Sequence, residues 1–128
     1  MIAGEALEEP KEAAQLFKTK LGLKEHEEFA VAWLDNRHRL ICFEVLFTGS
    51  INGSSVYPRE VVKRGLALNA GAAIIGHNHP SGVTTPSQAD LRITGRLKDA
   101  LELVEIRLLD HLIVAGNEHV SLAERGQV

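Results

Sequence analysis

Two histidines two residues apart, followed by a serine and an aspartate, are the densest group of chemically competent side chains in the sequence. The stretch reads His77-Asn78-His79-Pro80-Ser81-Gly82 and continues to Thr84-Thr85-Pro86-Ser87-Gln88-Ala89-Asp90. In extended backbone His77 and His79 point the same way. Neutral imidazole is a common zinc ligand and a carboxylate can supply a third bond, which leaves a fourth position for water. Zinc lowers the pKa of such a water towards about 7. A nearby carboxylate can then take the proton and hand it to a leaving amine. Pro80 and Pro86 bracket the loop and limit its freedom. Plainer readings compete with this one. Taken alone, Ser87-x-x-Asp90 reads first as a helix capping box, and a lone His-x-His is more often a polar loop than a site. Capping and ligation are compatible, because the cap fixes the carboxylate that a metal would need. Three candidate ligands with two prolines and a cap at fixed offsets favour the metal site.

The surrounding pattern predicts elements that could hold these groups. Pro10 to Leu21 carries an apolar stripe of Ala13, Ala14, Leu16, Phe17 and Leu21, with Pro10 suited to a first turn and Gly22 to the stop. Phe29 to Leu34 and Arg39 to Phe47 read as a strand pair across Asp35–His38. A Gly/Ser/Asn connection from Gly49 to Ser55 precedes a helix from Pro58 to about Asn69, which Gly71 is expected to end. Ala72 to Ile75 suits a strand buried on both faces, and His77 to Pro86 a polar loop. Ser87 to about Val104 reads as a helix with Leu91, Leu97, Leu101 and Val104 inward. Ile106 to Ala115 is a strong strand, and Asn117 to Val120 a short return strand. The alternation gives an α/β or α+β class with a mixed sheet.

Composition narrows the function. The chain has 128 residues, 45% of them hydrophobic and 24% charged, which suits a single globular domain over residues 1–128. A domain of this size needs neither disulfides nor metal to fold. A net charge of −3 gives no reason to expect non-specific nucleic-acid binding. The single cysteine, Cys42, rules out an internal disulfide and a thiolate metal cluster. A reducing, cytoplasmic compartment is the simplest expectation. No membrane span and no signal-peptide pattern is present.

The spacing His-x-His, seven residues, Ser, two residues, Asp resembles the JAMM motif of the MPN/JAB metallopeptidase family, complete at His77, His79, Ser87 and Asp90. His-Asn-His-Pro-Ser-Gly is similar to the RadC branch in particular. Gly49, Pro58-Arg59-Glu60, Asn69-Ala70, Asp110-His111 and Ser121-x-x-Glu124-Arg125-Gly126 add to the likeness. It covers a family core over residues 27–126, with residues 1–22 as an N-terminal helical segment. The resemblance implies a three-layer α/β/α domain related in fold to cytidine deaminases. It implies zinc held by His77, His79 and Asp90, and a role for Ser87 in supporting the tetrahedral intermediate. The family's general acid/base glutamate falls at Glu27, two residues before Phe29. Glu28 is the alternative, since a one-residue shift exchanges faces. The implied activity is that of a zinc metallohydrolase of peptidase or isopeptidase type acting on a protein or peptide. Members of the RadC branch usually carry an additional N-terminal helical segment, so the chain is expected to be the C-terminal domain of a longer protein.

Other functions fit less well. The letters His-Asn-His do not make a nuclease, whose motif of that name spreads over a ββα unit. A deaminase needs a Pro-Cys-x-x-Cys run, absent here. The remaining alternative is a non-catalytic or DNA-repair-associated module binding protein or nucleic acid. Arg59, Lys63, Arg64, Arg92 and Arg96 could form a basic rim, although such residues are more often a solvated surface. Peptidase members usually have Ser or Thr between the histidines, so Asn78 raises the expectation of altered substrate handling. His111 is expected either behind the metal site or as a hydrogen-bonded structural histidine. His26, His38 and His119 are expected to be exposed, Trp33 to fill the core, and Cys42 to be a small buried hydrophobe. The sequence leaves the substrate and the oligomeric state open.

Overall fold

A computed structural model describes residues 6–7, 10–49 and 56–128. Most of the glycine- and serine-rich connection expected at 49–55 lies outside the described residues. Among the described residues, three helices and five strands run in the order α1 (Pro10–Leu21), β1 (Glu28–Leu34), β2 (Leu40–Thr48), α2 (Pro58–Ala67), β3 (Ala72–Asn78), α3 (Gln88–Leu103), β4 (Arg107–Ala115) and β5 (Glu118–Ser121). None of the described helices is long and apolar enough to cross a membrane.

The strands form one mixed sheet in the order β2-β1-β3-β4-β5. β1 pairs antiparallel with both β2 and β3, β3 pairs parallel with β4, and β5 returns antiparallel along β4. The parallel pair needs a crossover, and α3 supplies it. The strand pair β1–β2 turns at Asp35, whose Oδ1 accepts from the backbone N–H groups of Arg37 and Arg39 at 2.9 Å each. His38 takes a left-handed φ of 59° there.

β1 and β3 are buried on both faces, as central strands between two helical layers must be. On one side Ala30, Ala32, Leu34, Ile74 and Leu112 meet Phe17 and Leu21 of α1. On the other, Val31, Trp33 and Ile75 meet Val61 of α2 and Ile93, Leu97 and Leu101 of α3. The result is the three-layer α/β/α architecture that the family resemblance implies. Gly76 sits where α1 comes nearest, and a Cβ there would run into the Phe17 ring. Truncating Phe17, fully buried, falls in the class of core deletions that cost about 3–5 kcal/mol.

Several local expectations are corrected. α2 ends at Ala67, and Asn69, two residues before the expected stop at Gly71, takes the left-handed φ of 53° that closes it. β3 does not stop at Ile75; it carries His77 and Asn78 as its last two residues. On α3 it is Ile93, not Leu91, that is buried. Cys42 is only half-buried, its Sγ 3.9 Å from Glu44 Oε2. His38 and His119 are half-buried, whereas His26 is exposed.

Candidate metal centre

The site forms where the C-terminal end of β3 meets the N-terminus of α3. β3 pairs Phe29 with His77 on one side and places His77 beside Ile113 on the other, so the imidazole emerges at a point held by two neighbouring strands. His79 follows immediately, its backbone N–H donating to Val114 O at 2.9 Å and prolonging the ladder. The two rings converge, with Nε2 to Nε2 2.9 Å apart.

Asp90 reaches the same point from α3 because its helix is capped. The Asp90 N–H donates to Ser87 Oγ at 3.0 Å, and the Ser87 N–H donates to Asp90 Oδ2 at 2.8 Å, a reciprocal capping box. The cap fixes the carboxylate so that Oδ1 lies 3.1 Å from His77 Nε2 and Oδ2 lies 3.6 Å from His79 Nε2. Although fully buried, Oδ1 has no hydrogen bond of acceptable geometry. An orphaned buried carboxylate oxygen requires an explanation. Burial alone would raise the Asp90 carboxyl, but the contacts with His77 and His79 and the Ser87 N–H hold it far below the usual carboxylate range. The hydrogen bond with Asp90 raises His79 above the ordinary imidazole value, against the effect of its burial; the Val83 carbonyl and the charges of Asp90 and Glu27 act in the same direction.

Glu27 stands just ahead of β1 at the outer side of the cluster, its Oε1 3.9 Å from His79 Nε2. Glu28, the first residue of the strand, instead lies 3.8 Å from Lys24 Nζ. Glu27, His77 and His79 each bring one ligand atom within 4.8 Å of the other two. Two carboxylates therefore stand beside the same imidazole pair, Asp90 at shorter range and completely buried, Glu27 farther out with its side chain 17% exposed.

Donor types and spacing fit a single zinc ion. Ligands about 2.0–2.1 Å from a tetrahedral centre lie roughly 3.3 Å from one another, and His77 Nε2 lies near that distance from both other groups, 2.9 Å from His79 Nε2 and 3.1 Å from Asp90 Oδ1. Both rings are also held from behind. His79 Nδ1 lies 2.7 Å from Val83 O, and His77 Nδ1 lies 2.8 Å from His111 Nε2. His111 is fully buried, and its burial, with the nearby His77, pushes its pKa well below the ordinary value. Its Nδ1 is 2.6 Å from Thr94 Oγ1, which donates to Asp90 O at 2.7 Å.

Two of these roles differ from what the residue types suggested. Asn78 faces away from the cluster and is 1% exposed. Its Oδ1 accepts from the Glu28 N–H at 2.7 Å, and its Nδ2 donates to His26 O at 2.9 Å and Lys24 O at 3.3 Å. It ties down the segment that carries Glu27, and the Gly49 N–H donating to Glu27 O at 2.8 Å holds that segment from the other side. Thr94 was missed altogether. The available signal was its position four residues after Asp90, one helical turn along the same face. Of the basic residues, Lys63 pairs with Glu60 and Arg64 with Glu44.

An α/β/α domain with a His-His-carboxylate cluster at the end of a central strand is the architecture of the JAB class. The family model of the RadC-like JAB domain matches residues 7–127. The chain belongs to that family, and the match includes α1 as well as the core that carries the motif. Curated relatives include a UPF0758 protein of Xanthomonas oryzae pv. oryzae, 56% identical over 123 residues that make up 96% of this chain and 55% of the relative. A UPF0758 protein of Cellvibrio japonicus is 56% identical over 126 residues, 98% of this chain and 56% of the relative. One from Vibrio cholerae is 55% identical over 125 residues, 98% and 56% respectively. The chain thus spans about half the length of the curated relatives it matches.

Proposed function

We propose that this domain is a zinc-dependent hydrolase of peptidase or isopeptidase type, with His77, His79 and Asp90 as ligands, Glu27 as general acid/base and Ser87 as an oxyanion donor. The observation that carries the reading is the orphaned Oδ1 of Asp90, buried and 3.1 Å from His77 Nε2, which itself lies 2.9 Å from His79 Nε2. A cation between these atoms would satisfy all three. Asp90 is the better third ligand of the two carboxylates, because its cap holds it in place and it has no access to solvent. Glu27 is then left for proton transfer.

Zinc held there would supply Lewis acidity, polarising a substrate carbonyl and lowering the pKa of a water in its open position towards about 7. Glu27, on the outer side of the cluster, would take a proton from the attacking water and return it to the departing amine. Ser87 Oγ uses only an acceptor position in the cap, so its O–H can donate to the oxygen of a carbonyl under attack. The acyl group would come from a peptide or isopeptide bond. The longer protein of which this would be the C-terminal part, and the partners it serves, belong to the same proposal.

A zinc-bound crystal structure with paired turnover assays tests it. His77 Nε2, His79 Nε2 and Asp90 Oδ1 should each lie about 2.0–2.2 Å from the ion, and Glu27→Gln should keep zinc while hydrolysis of a peptide or isopeptide library is lost. Zinc ligated by Glu27 with Asp90 turned away would overturn the ligand assignment, and a library cleaved equally well by Glu27→Gln would overturn the mechanism.

A further inference from the structure

A buried hydrogen-bond chain behind His77 runs in one direction only. Thr94 Oγ1 lies 2.7 Å from the backbone carbonyl of Asp90, 2.6 Å from His111 Nδ1, and His111 Nε2 lies 2.8 Å from His77 Nδ1. Thr94 Oγ1 donates its single hydroxyl proton to Asp90 O, a carbonyl that has none to give. Thr94 Oγ1 can then only accept from His111, and His111 Nδ1 must carry the proton. A neutral imidazole has one N–H, so His111 Nε2 is bare and accepts from His77 Nδ1–H. With His77 neutral, the state in which an imidazole ligates, its Nε2 is bare, and that atom lies 3.1 Å from Asp90 Oδ1 and 2.9 Å from His79 Nε2. A charged His111 would place a second N–H against His77 Nδ1 and reverse the outcome, but His111 has no solvent exposure to support a charge.

We propose that Thr94 and His111 are positioning residues that fix the tautomer of His77, so that its lone pair faces Asp90 and His79 before any ion arrives. The chain begins and ends at one place: Asp90 supplies the carbonyl that sets its direction and, on the reading given above, the carboxylate that would share the ion with His77. Polar partners behind metal-binding histidines commonly contribute about 10–100-fold in metal affinity. Without the Thr94 hydroxyl the direction is no longer set. A His111 free to protonate Nε2 would force the His77 proton onto the ligating nitrogen.

The inference rests on the zinc reading for its consequence but not for its test. Long-range 1H–15N correlation spectra of metal-free, 15N-histidine-labelled protein report the tautomer of each ring directly. The wild type should show His77 and His111 both protonated at Nδ1. Thr94→Val should mix or invert these tautomers and weaken zinc binding about 10–100-fold, whereas Thr94→Ser, which keeps the hydroxyl, should restore both signatures. His77 protonated at Nε2 in the wild type would overturn the proposal even if Thr94→Val failed to fold. Unchanged tautomers and zinc affinity in a folded Thr94→Val protein would also overturn it. A wild type that binds no zinc but shows the expected tautomers would sink the metal reading and leave the relay standing.

Discussion

The two imidazoles of the site are supported in opposite ways. His77 stands on a central strand, fully buried, and its rear nitrogen leads into a chain of side chains that ends on the α3 backbone. His79 stands on the loop beyond the strand, and its rear nitrogen rests on the carbonyl of Val83, an exposed residue just after Gly82 with its φ of 89°. The inner half is held by parts that cannot move without disturbing the core. The outer half, which includes Glu27, is held by backbone contacts near the surface, where a substrate would enter. On the function proposed above, the inner half would hold the ion and the outer half would face the substrate.

Removing the inner imidazole should have the largest effect. His77→Ala should lower zinc affinity at least about a hundredfold, beyond the usual loss from a supporting residue. It also strands a buried acceptor on His111, at about 1–3 kcal/mol. The domain should nonetheless remain folded by circular dichroism, since a typical margin is about 5–15 kcal/mol. For the same reason chelation of the wild type should leave a cooperative thermal transition; a chain that unfolds when stripped of metal would contradict the separation of core from site.

Asn78 tests the outer half from behind. Asn78→Ala leaves the Glu28 N–H and the His26 and Lys24 carbonyls without their partner and should cost about 1–3 kcal/mol in denaturant unfolding. Because it holds the Glu27 segment and not the ligands, turnover should fall while zinc affinity changes only a few-fold. Equal losses in both would show that the two halves are not separable.

The pH dependence of zinc binding should arise mainly at His79. Its pKa in the metal-free protein is raised, first by the hydrogen bond with Asp90, and only a neutral imidazole can ligate. Zinc affinity measured calorimetrically should therefore begin to decline at a pH above the ordinary 6.5 of histidine. The sign for stability is the reverse. The metal-free fold should carry an extra increment below the unfolded-state pKa, lost as pH rises through the raised folded value. The smallest effect should come from Gly82→Ala, which strains a left-handed turn by about 1–2 kcal/mol and loosens Val83, weakening zinc binding by less than about tenfold.

What the sequence made legible follows distance along the chain. Strand and helix bounds came from apolar spacing, and the bounds of α1 match the expected Pro10 to Leu21. His77, His79, Ser87 and Asp90 could be grouped because one strand end, one loop and one capped helix hold them within a short span. The relay was legible only in part: His111 could be expected behind the site, but it meets His77 through the parallel register that sets Ile75 beside His111, and no local pattern specifies that register or the part played by Thr94. The hydrogen bonds of Asn78 were hidden for a related reason: alternation along β3 shows that it faces away from its neighbours, but not that a segment fifty residues earlier runs beneath it.

On the proposed function the two carboxylates beside the imidazole pair have different tasks, Asp90 holding the ion and Glu27 moving the proton. Zinc titration of Asp90→Asn and Glu27→Gln, side by side with the wild type, tests it most directly. Asp90→Asn should lose most of its zinc affinity while Glu27→Gln binds within a few-fold of the wild type. Retention by Asp90→Asn with loss by Glu27→Gln would contradict it.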